Sequence, residues 1–231
     1  MPADDPTAEP APENGTIRVI IVDDHPVLRK GLAQLIEEEE DMTVCGEAED
    51  TAQALKVVEE TQPDILIVDL SLKDSSGLDL IKDMQVRQPK ISLLVLSMHE
   101  ETFYAERVLK AGAKGYITKE EGTEKVVDGI RSVLKGNIYL SENMREKMIL
   151  KMVGSPGNSE EDAISTLTDR ELQIFELIGQ GMPTREIAKR LHVSVKTIES
   201  HRENIKEKLG VSSATDLLKT AIEWVHSQGN I

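Results

Sequence analysis

The chain has 231 residues, enough for one large domain or two ordinary ones, and its 27 basic and 42 acidic side chains give a net charge of −15. Taken whole, that charge argues against a nucleic-acid partner. Aromatics are scarce, at one Trp, three Tyr and two Phe, so the cores must rest on Leu, Ile, Val, Ala and Met, and the single cysteine excludes an internal disulfide and a Cys-based zinc site. The opening MPADDPTAEPAPENG lacks the basic start and apolar segment of a secretory signal. Its Pro, Ala and acidic content reads as a disordered tail over residues 1–15. No apolar run reaches the roughly 18 residues that span a bilayer.

From residue 16 the pattern alternates. IRVIIVDD is a β-branched run ending in acids, and PVLRKGLAQLIEEE sets Leu28, Leu32, Leu35 and Ile36 on one helical stripe. TVCGEAE reads as a short strand with Cys45 as a small buried core residue, and TAQALKVVEETQ as a helix repeating Ala54, Leu55 and Val58. DILIVDL and ISLLVLS are apolar throughout, as strands covered on both faces are. Between them GLDLIKDMQVRQ forms a helix stopped by Pro89. ETFYAERVLKAG is a helix with a glycine stop, KGYIT a short strand, and TEKVVDGIRSVLKG a fifth helix. Five strands alternating with five helices predict a doubly wound parallel sheet.

NIYLSENMREKMILKMVG reads as one more helix, and SPGNSEEDA as a flexible linker. The remainder is helical in pattern, with breaks at Gly181–Met182–Pro183, His192–Val193 and Gly210–Val211. Charge divides along with structure. Residues 1–159 carry a net −12, whereas residues 165–231 balance at nine basic and nine acidic side chains, and 185–208 hold seven basic against four acidic. The overall acidity therefore hides a locally basic helix pair, and a phosphate backbone responds to the local sign.

In a doubly wound sheet, ligands bind beyond the carboxyl ends of the strands. Here those ends carry Asp23 and Asp24, Asp69, Ser97 and Lys119. Three close carboxylates repel one another, and a divalent cation relieves this; carboxylates plus water suit Mg²⁺. A central carboxylate, a metal, a lysine and a hydroxyl around one point are the parts phosphoryl transfer needs. Plainer readings exist for each: DDHP as a helix cap with Pro26 in the first turn, Ser97 as a cap, Lys119 as a solvated loop lysine. Four such signals in the right order favour the pocket.

VIIVDDHPVLRKGL, DILIVDLSL, SGLDL, LLVLS and AGAKGYITK resemble the receiver domain of two-component response regulators over about residues 16–140. The resemblance implies that Asp69 is the phosphoacceptor, that Asp23, Asp24, Asp69 and the carbonyl of Ser71 hold Mg²⁺, and that Ser97 and Lys119 contact the phosphoryl group. Tyr116 matches the aromatic that turns inward on activation. Lys73 departs from the family, standing where proline is common, while Gly77 matches it.

TREIAKRL, HVS and VKTIESHRENIKEKL read as helix, turn, helix, with Ser194 as N-cap of the second. Ile187, Ala188 and Leu191 are expected to face Ile198, Ile205 and Leu209, the arrangement of a helix-turn-helix whose second helix enters the major groove. From LTDREL to KLGVSS this half resembles the LuxR-type helix-turn-helix, and the whole chain resembles the NarL/FixJ class of response regulators. The resemblance implies a flavodoxin-like receiver at 16–140, a linker helix and flexible linker at 141–164, and an all-α DNA-binding domain at 165–231. It also implies a sensor histidine kinase as phosphodonor, operator half-sites in double-stranded DNA, a homodimer when phosphorylated, and a cytoplasmic location. The last helix offers Leu217, Leu218, Ala221, Ile222 and Val225 for packing and dimerisation. On the reader helix, Lys196, Thr197, Glu199, Ser200, Arg202, Glu203 and Lys206 are the candidate DNA contacts. Arg202 suits phosphate, His201 packing, and Glu199 and Glu203 either accept hydrogen bonds from bases or pair with Arg202 and Lys206. A transcription factor, not an enzyme, is the expected function; the rivals are a Mg²⁺-dependent phosphohydrolase with Asp69 as nucleophile and an interaction protein using the receiver fold without phosphate.

Overall fold

The structure is a computed structural model that describes residues 15–72, 76–99, 101–122, 124–152 and 163–227. Lys73, residues 155–162 of the expected linker SPGNSEEDA, and all of the expected tail except Gly15 lie outside the described residues. The chain divides into two compact units: Met1–Ser97 with Val108–Tyr139, and Met98–Arg107 with Leu140–Ile231.

The first unit is built on strands β1 (Ile17–Val22), β2 (Met42–Ala48), β3 (Ile65–Val68), β4 (Ser92–Ser97) and β5 (Gly115–Thr118). They form one sheet, parallel throughout, in the order β2-β1-β3-β4-β5. This is the flavodoxin-like doubly wound arrangement, whose topological switch point lies between β1 and β3. Helices α1 (Pro26–Glu37), α2 (Thr51–Thr61), α3 (Gly77–Arg87) and α5 (Glu124–Leu134) follow strands in alternation, as does α4 (Glu101–Ala111). The unbroken apolar runs of β3 and β4 are buried on both faces, as is Val19 to Val22 of β1. Leu32 and Ile36 of α1 and Val126, Ile130 and Val133 of α5 complete the core over them. Each fully buried Leu, Ile or Val contributes roughly 1.5–3 kcal/mol relative to leaving it exposed.

Two expectations fail at the sheet edges. Cys45 is only half-buried, because β2 slips register against β1: Val19 pairs Val44, Ile20 pairs Gly46, and Cys45 is the extra residue of a bulge. Residues 137–140 do not join the next helix. Tyr139 bridges Gly115 in extended conformation, accepting from the Tyr116 amide at 2.9 Å, and helix α6 begins only at Glu142.

The second unit comprises α6 (Glu142–Met152), α7 (Asp169–Gly179), α8 (Thr184–Arg190), α9 (Val195–Leu209) and α10 (Ala214–Ser227), together with 98–107. Thr168 and Glu171 form a capping box at the start of α7. The α7–α10 contact is close at Gly179, where a Cβ would stand 2.3 Å from the Ala221 carbonyl oxygen. Trp224 of α10 lies 5.5 Å, ring centre to ring centre, from both Phe175 of α7 and Phe103 of α4. The same stretch of α4 donates from Tyr104 Oη to Glu176 at 3.0 Å and from Arg107 to Asp169 at 2.9 Å. The first half of α4 is thereby part of the helical unit, which its sequence periodicity does not reveal.

Candidate functional site

Asp23 follows β1 directly and Asp69 follows β3, so the switch point places two carboxylates side by side. Lys119, just beyond β5, reaches both, with Nζ at 2.8 Å from Asp23 Oδ2 and 2.6 Å from Asp69 Oδ2. All three side chains are at most 5% exposed. Backbone bonds fix the approach: the Asp69 amide donates to Val22, the Asp23 amide to Ala48 and the Lys119 amide to Ser97. Burial works against the lysine ammonium, yet the two carboxylates outweigh it and hold its pKa above the ordinary lysine value. Lys119 therefore carries a proton throughout the neutral range.

The plainer cap readings do not hold. The N-cap of α1 is His25, which makes no side-chain cap, and Pro26 occupies the first turn. Asp23 Oδ1 instead accepts the His25 amide at 2.8 Å, and α4 starts at Glu101, too far along for Ser97 to cap it. Ser97 and Tyr116 are both fully buried. Ser71 donates its amide to Asp69 Oδ1 at 3.3 Å. Gly77 is required here, since a Cβ would lie 2.0 Å from the Asp69 carbonyl oxygen.

Asp24, one quarter exposed, completes the acidic set, and ligand atoms of Asp23, Asp24, His25 and Asp69 lie within 4.8 Å of one another. Asp24 Oδ1 is buried and accepts no hydrogen bond; its close neighbour is His25 Nδ1 at 2.8 Å. Three carboxylates against one lysine leave two uncompensated charges, which a divalent cation with oxygen preference matches. His25 was not foreseen from the sequence, because its role there is set by the turn into Pro26.

The helix-turn-helix forms as the sequence predicts. Ser194 caps α9 by accepting from the Thr197 amide at 3.0 Å, and Gly210 ends it at φ +67°. Ile187, Ala188, Ile198 and Ile205 are buried, while Leu191 and Leu209 sit half-buried at the rim. Two ties missed by periodicity hold the motif. Arg170 donates to the Leu191 carbonyl at 2.8 Å, beside the turn where His192 takes φ +52°. Lys208 reaches the buried Glu171. Burial raises the pKa of Glu171, but its bonds from Lys208 and Thr168 prevail and hold it below the usual glutamate value.

Lys196, Glu199, Ser200 and Glu203 are exposed on α9; Thr197, Arg202, Lys206 and His201 are half-buried. Glu203 pairs with Lys206 at 2.8 Å, one of the expected pairs, whereas Glu199 and Arg202 do not pair. On α10, Leu217, Ala221 and Val225 are buried together with Trp224, while Leu218 is 39% exposed and Ile222 half-exposed.

Residues 19–131 match the response regulator receiver domain, and residues 165–221 match the bacterial regulatory proteins of the luxR family. The oxygen regulatory protein NreC of Staphylococcus carnosus is 36% identical over 211 residues, covering 90% of this chain and 97% of that protein. The chain belongs to the LuxR-type two-component response regulators. Among solved structures, the RcsB response regulator of Salmonella typhimurium superposes with a TM-score of 0.71 at 27% identity, over 91% of this chain and 98% of RcsB. Salmonella enterica RcsB bound to the promoter rprA with the phosphomimetic BeF3− gives 0.68 at 28% identity, over 89% and 98%. A receiver joined to a LuxR-type DNA-binding domain makes this response regulator a phosphorylation-controlled transcription regulator. No helix among its described residues is long and apolar enough to cross a membrane.

Proposed function

We propose that Asp69 is the phosphoacceptor of this regulator and that a sensor histidine kinase is its donor. The observation that carries the reading is the buried trio of Asp23, Asp69 and Lys119 at the switch point of the sheet. An Asp69 carboxylate oxygen attacks phosphorus as the bond to the donor imidazole breaks, and the imidazole leaves with the electron pair. Lys119, already 2.6 Å from Asp69, stays protonated to balance charge on the phosphoryl oxygens. Ser97 supplies a hydroxyl at the end of β4, next to β5, where Tyr116 is buried. Asp23, Asp24, Asp69 and the Ser71 carbonyl would hold Mg²⁺, which when bound supplies further charge neutralisation. The regulator acts in the cytoplasm and turns over no substrate of its own.

Phosphorylation favours one of two states of the chain by interacting differently with each. The favoured state pairs two copies through α10, where Leu218 and Ile222 are the part of the apolar stripe not consumed by internal packing. The pair then reads two operator half-sites, with Lys196, Thr197, Arg202 and Lys206 framing the phosphates, Glu199 and Ser200 toward the base edges, and Glu203 paired with Lys206. A small phosphodonor with Mg²⁺ tests the reading. It should give one stable label per chain that Asp69→Asn abolishes; catalytic release of phosphate from an ester would refute it in favour of an enzyme.

A further inference from the structure

The polar side chains along α9 divide between engaged and free ones. Glu203 is paired with Lys206 at 2.8 Å. Ser200 Oγ donates to the Lys196 carbonyl at 3.1 Å, and Thr197 Oγ1 lies 2.8 Å from the capping Ser194 Oγ. Glu199 differs. It is exposed, it lies in the second turn of the helix, and among the described residues its side chain makes neither a hydrogen bond nor an ion pair, Arg202 being three residues on and half-buried. It is thus a negative group held near the N-terminal, base-facing end of a helix in a segment that is otherwise net basic.

A carboxylate at that place only accepts. In the major groove, guanine offers O6 and N7 and thymine offers O4, all acceptors that repel it. Adenine offers the N6 amino group, but beside the acceptor N7. Cytosine offers the N4 amino group beside a C–H edge, the one arrangement with a donor and no neighbouring acceptor on that base. We propose that Glu199 is a specificity-determining residue that selects cytosine in each operator half-site by accepting from its N4 amino group, while Glu203 holds Lys206 for the backbone. This rests on the reading that α9 enters the major groove. The surrounding cations make the carboxylate tolerable there: Lys196 and Arg202 meet phosphates on either side and offset its repulsion.

The test is selection of bound duplexes from a randomised pool by the full chain, phosphorylated with a small phosphodonor, followed by titration of the selected site and its single-base variants. Wild type should fix one C·G pair per half-site, related by the two-fold axis, and lose roughly ten- to a hundredfold in affinity when that cytosine is replaced. Glu199→Gln should move the preference at that position to adenine, whose N6 and N7 match an amide. Glu199→Ala should flatten it to under about threefold. Glu207→Gln removes the same charge from the same helix and should leave every base preference in place, separating readout from general electrostatics. The inference is overturned if Glu199→Gln and Glu199→Ala select the wild-type site unchanged, or if Glu207→Gln alters the same position as Glu199→Gln. Failure of the wild-type chain to enrich any sequence, despite stoichiometric phosphorylation, overturns the groove reading itself and the inference with it.

Discussion

Gly179 closes α7 where α10 crosses it, and Gly179→Ala should weaken the helical unit. A Cβ there would stand 2.3 Å from the Ala221 oxygen, 2.5 Å from Val225 Cγ2 and 2.8 Å from the Ala221 carbonyl carbon. Two of those three atoms are backbone, so no rotamer change relieves the clash, and α10 must retreat by roughly 1 Å or distort. Retreat loosens Leu217, Ala221, Trp224 and Val225, all buried in this contact. Overpacking of this kind costs about 1–3 kcal/mol, and backbone contact places it toward the upper end. Against that stands the helix preference of Ala over Gly, at most about 1 kcal/mol and less at a last helical residue. The net expectation is a loss of about 1–2 kcal/mol. Trp224 is the sole tryptophan and lies in this unit, so its emission in a urea titration follows α7 and α10 selectively, while far-ultraviolet dichroism follows the whole chain. Gly31, exposed inside α1 with nothing within 4 Å of its Cβ position, is the matched control. Gly31→Ala should stabilise the first unit by about 0.5–1 kcal/mol and leave the Trp224 transition where it was. An unchanged or higher Trp224 midpoint in Gly179→Ala would refute the packing argument.

Gly77→Ala should slow phosphorylation of Asp69 and destabilise the first unit by about 1–3 kcal/mol, read by phosphodonor labelling and dichroism, since the new methyl presses on the Asp69 carbonyl. Lys119→Ala should cost about 3–5 kcal/mol by leaving Asp23 and Asp69 buried face to face, and added Mg²⁺ should restore more stability to this variant than to wild type in thermal melts. The Glu171 pKa is depressed on folding, so its contribution is present above its ordinary value of 4.5 and is lost as pH falls through the lower folded value. Lys208→Met should therefore remove about 1–3 kcal/mol from the Trp224 transition at neutral pH and flatten its dependence on pH below the ordinary value of 4.5, a smaller difference from wild type in acid than at pH 7.

Much of the fold is written in local pattern. A short, β-branched run apolar on nearly every residue suits a strand covered on both faces, and DILIVDL and ISLLVLS are buried throughout from Ile65 to Val68 and from Ser92 to Ser97. Once strands alternate with helices, chain order brings Asp23, Asp69, Ser97 and Lys119 to one end of the sheet, which is why the pocket is legible in the sequence. What local pattern does not encode is the distant partner. Cys45 looks like any small core residue until the register against Val19 and Ile20 makes it the bulge. Asn137 to Leu140 looks helical until the free edge of β5 offers Tyr139 a backbone partner. Arg170 is an ordinary first-turn arginine in sequence, and only the fold brings the Leu191 carbonyl within 2.8 Å of it. Glu199 and Glu203 read alike along the helix, and side-chain geometry separates them.

The first half of α4 has a practical consequence for dissecting this protein. A fragment cut at the linker would carry α7 to α10 but leave behind Phe103, Tyr104 and Arg107, the residues that cover Trp224, Glu176 and Asp169. Such a fragment would gain an indole face that the intact chain keeps covered, on the very helix expected to pair two copies. Self-association of the fragment would then report the cut rather than the regulator, and a boundary that is clean in sequence would be a wound in three dimensions.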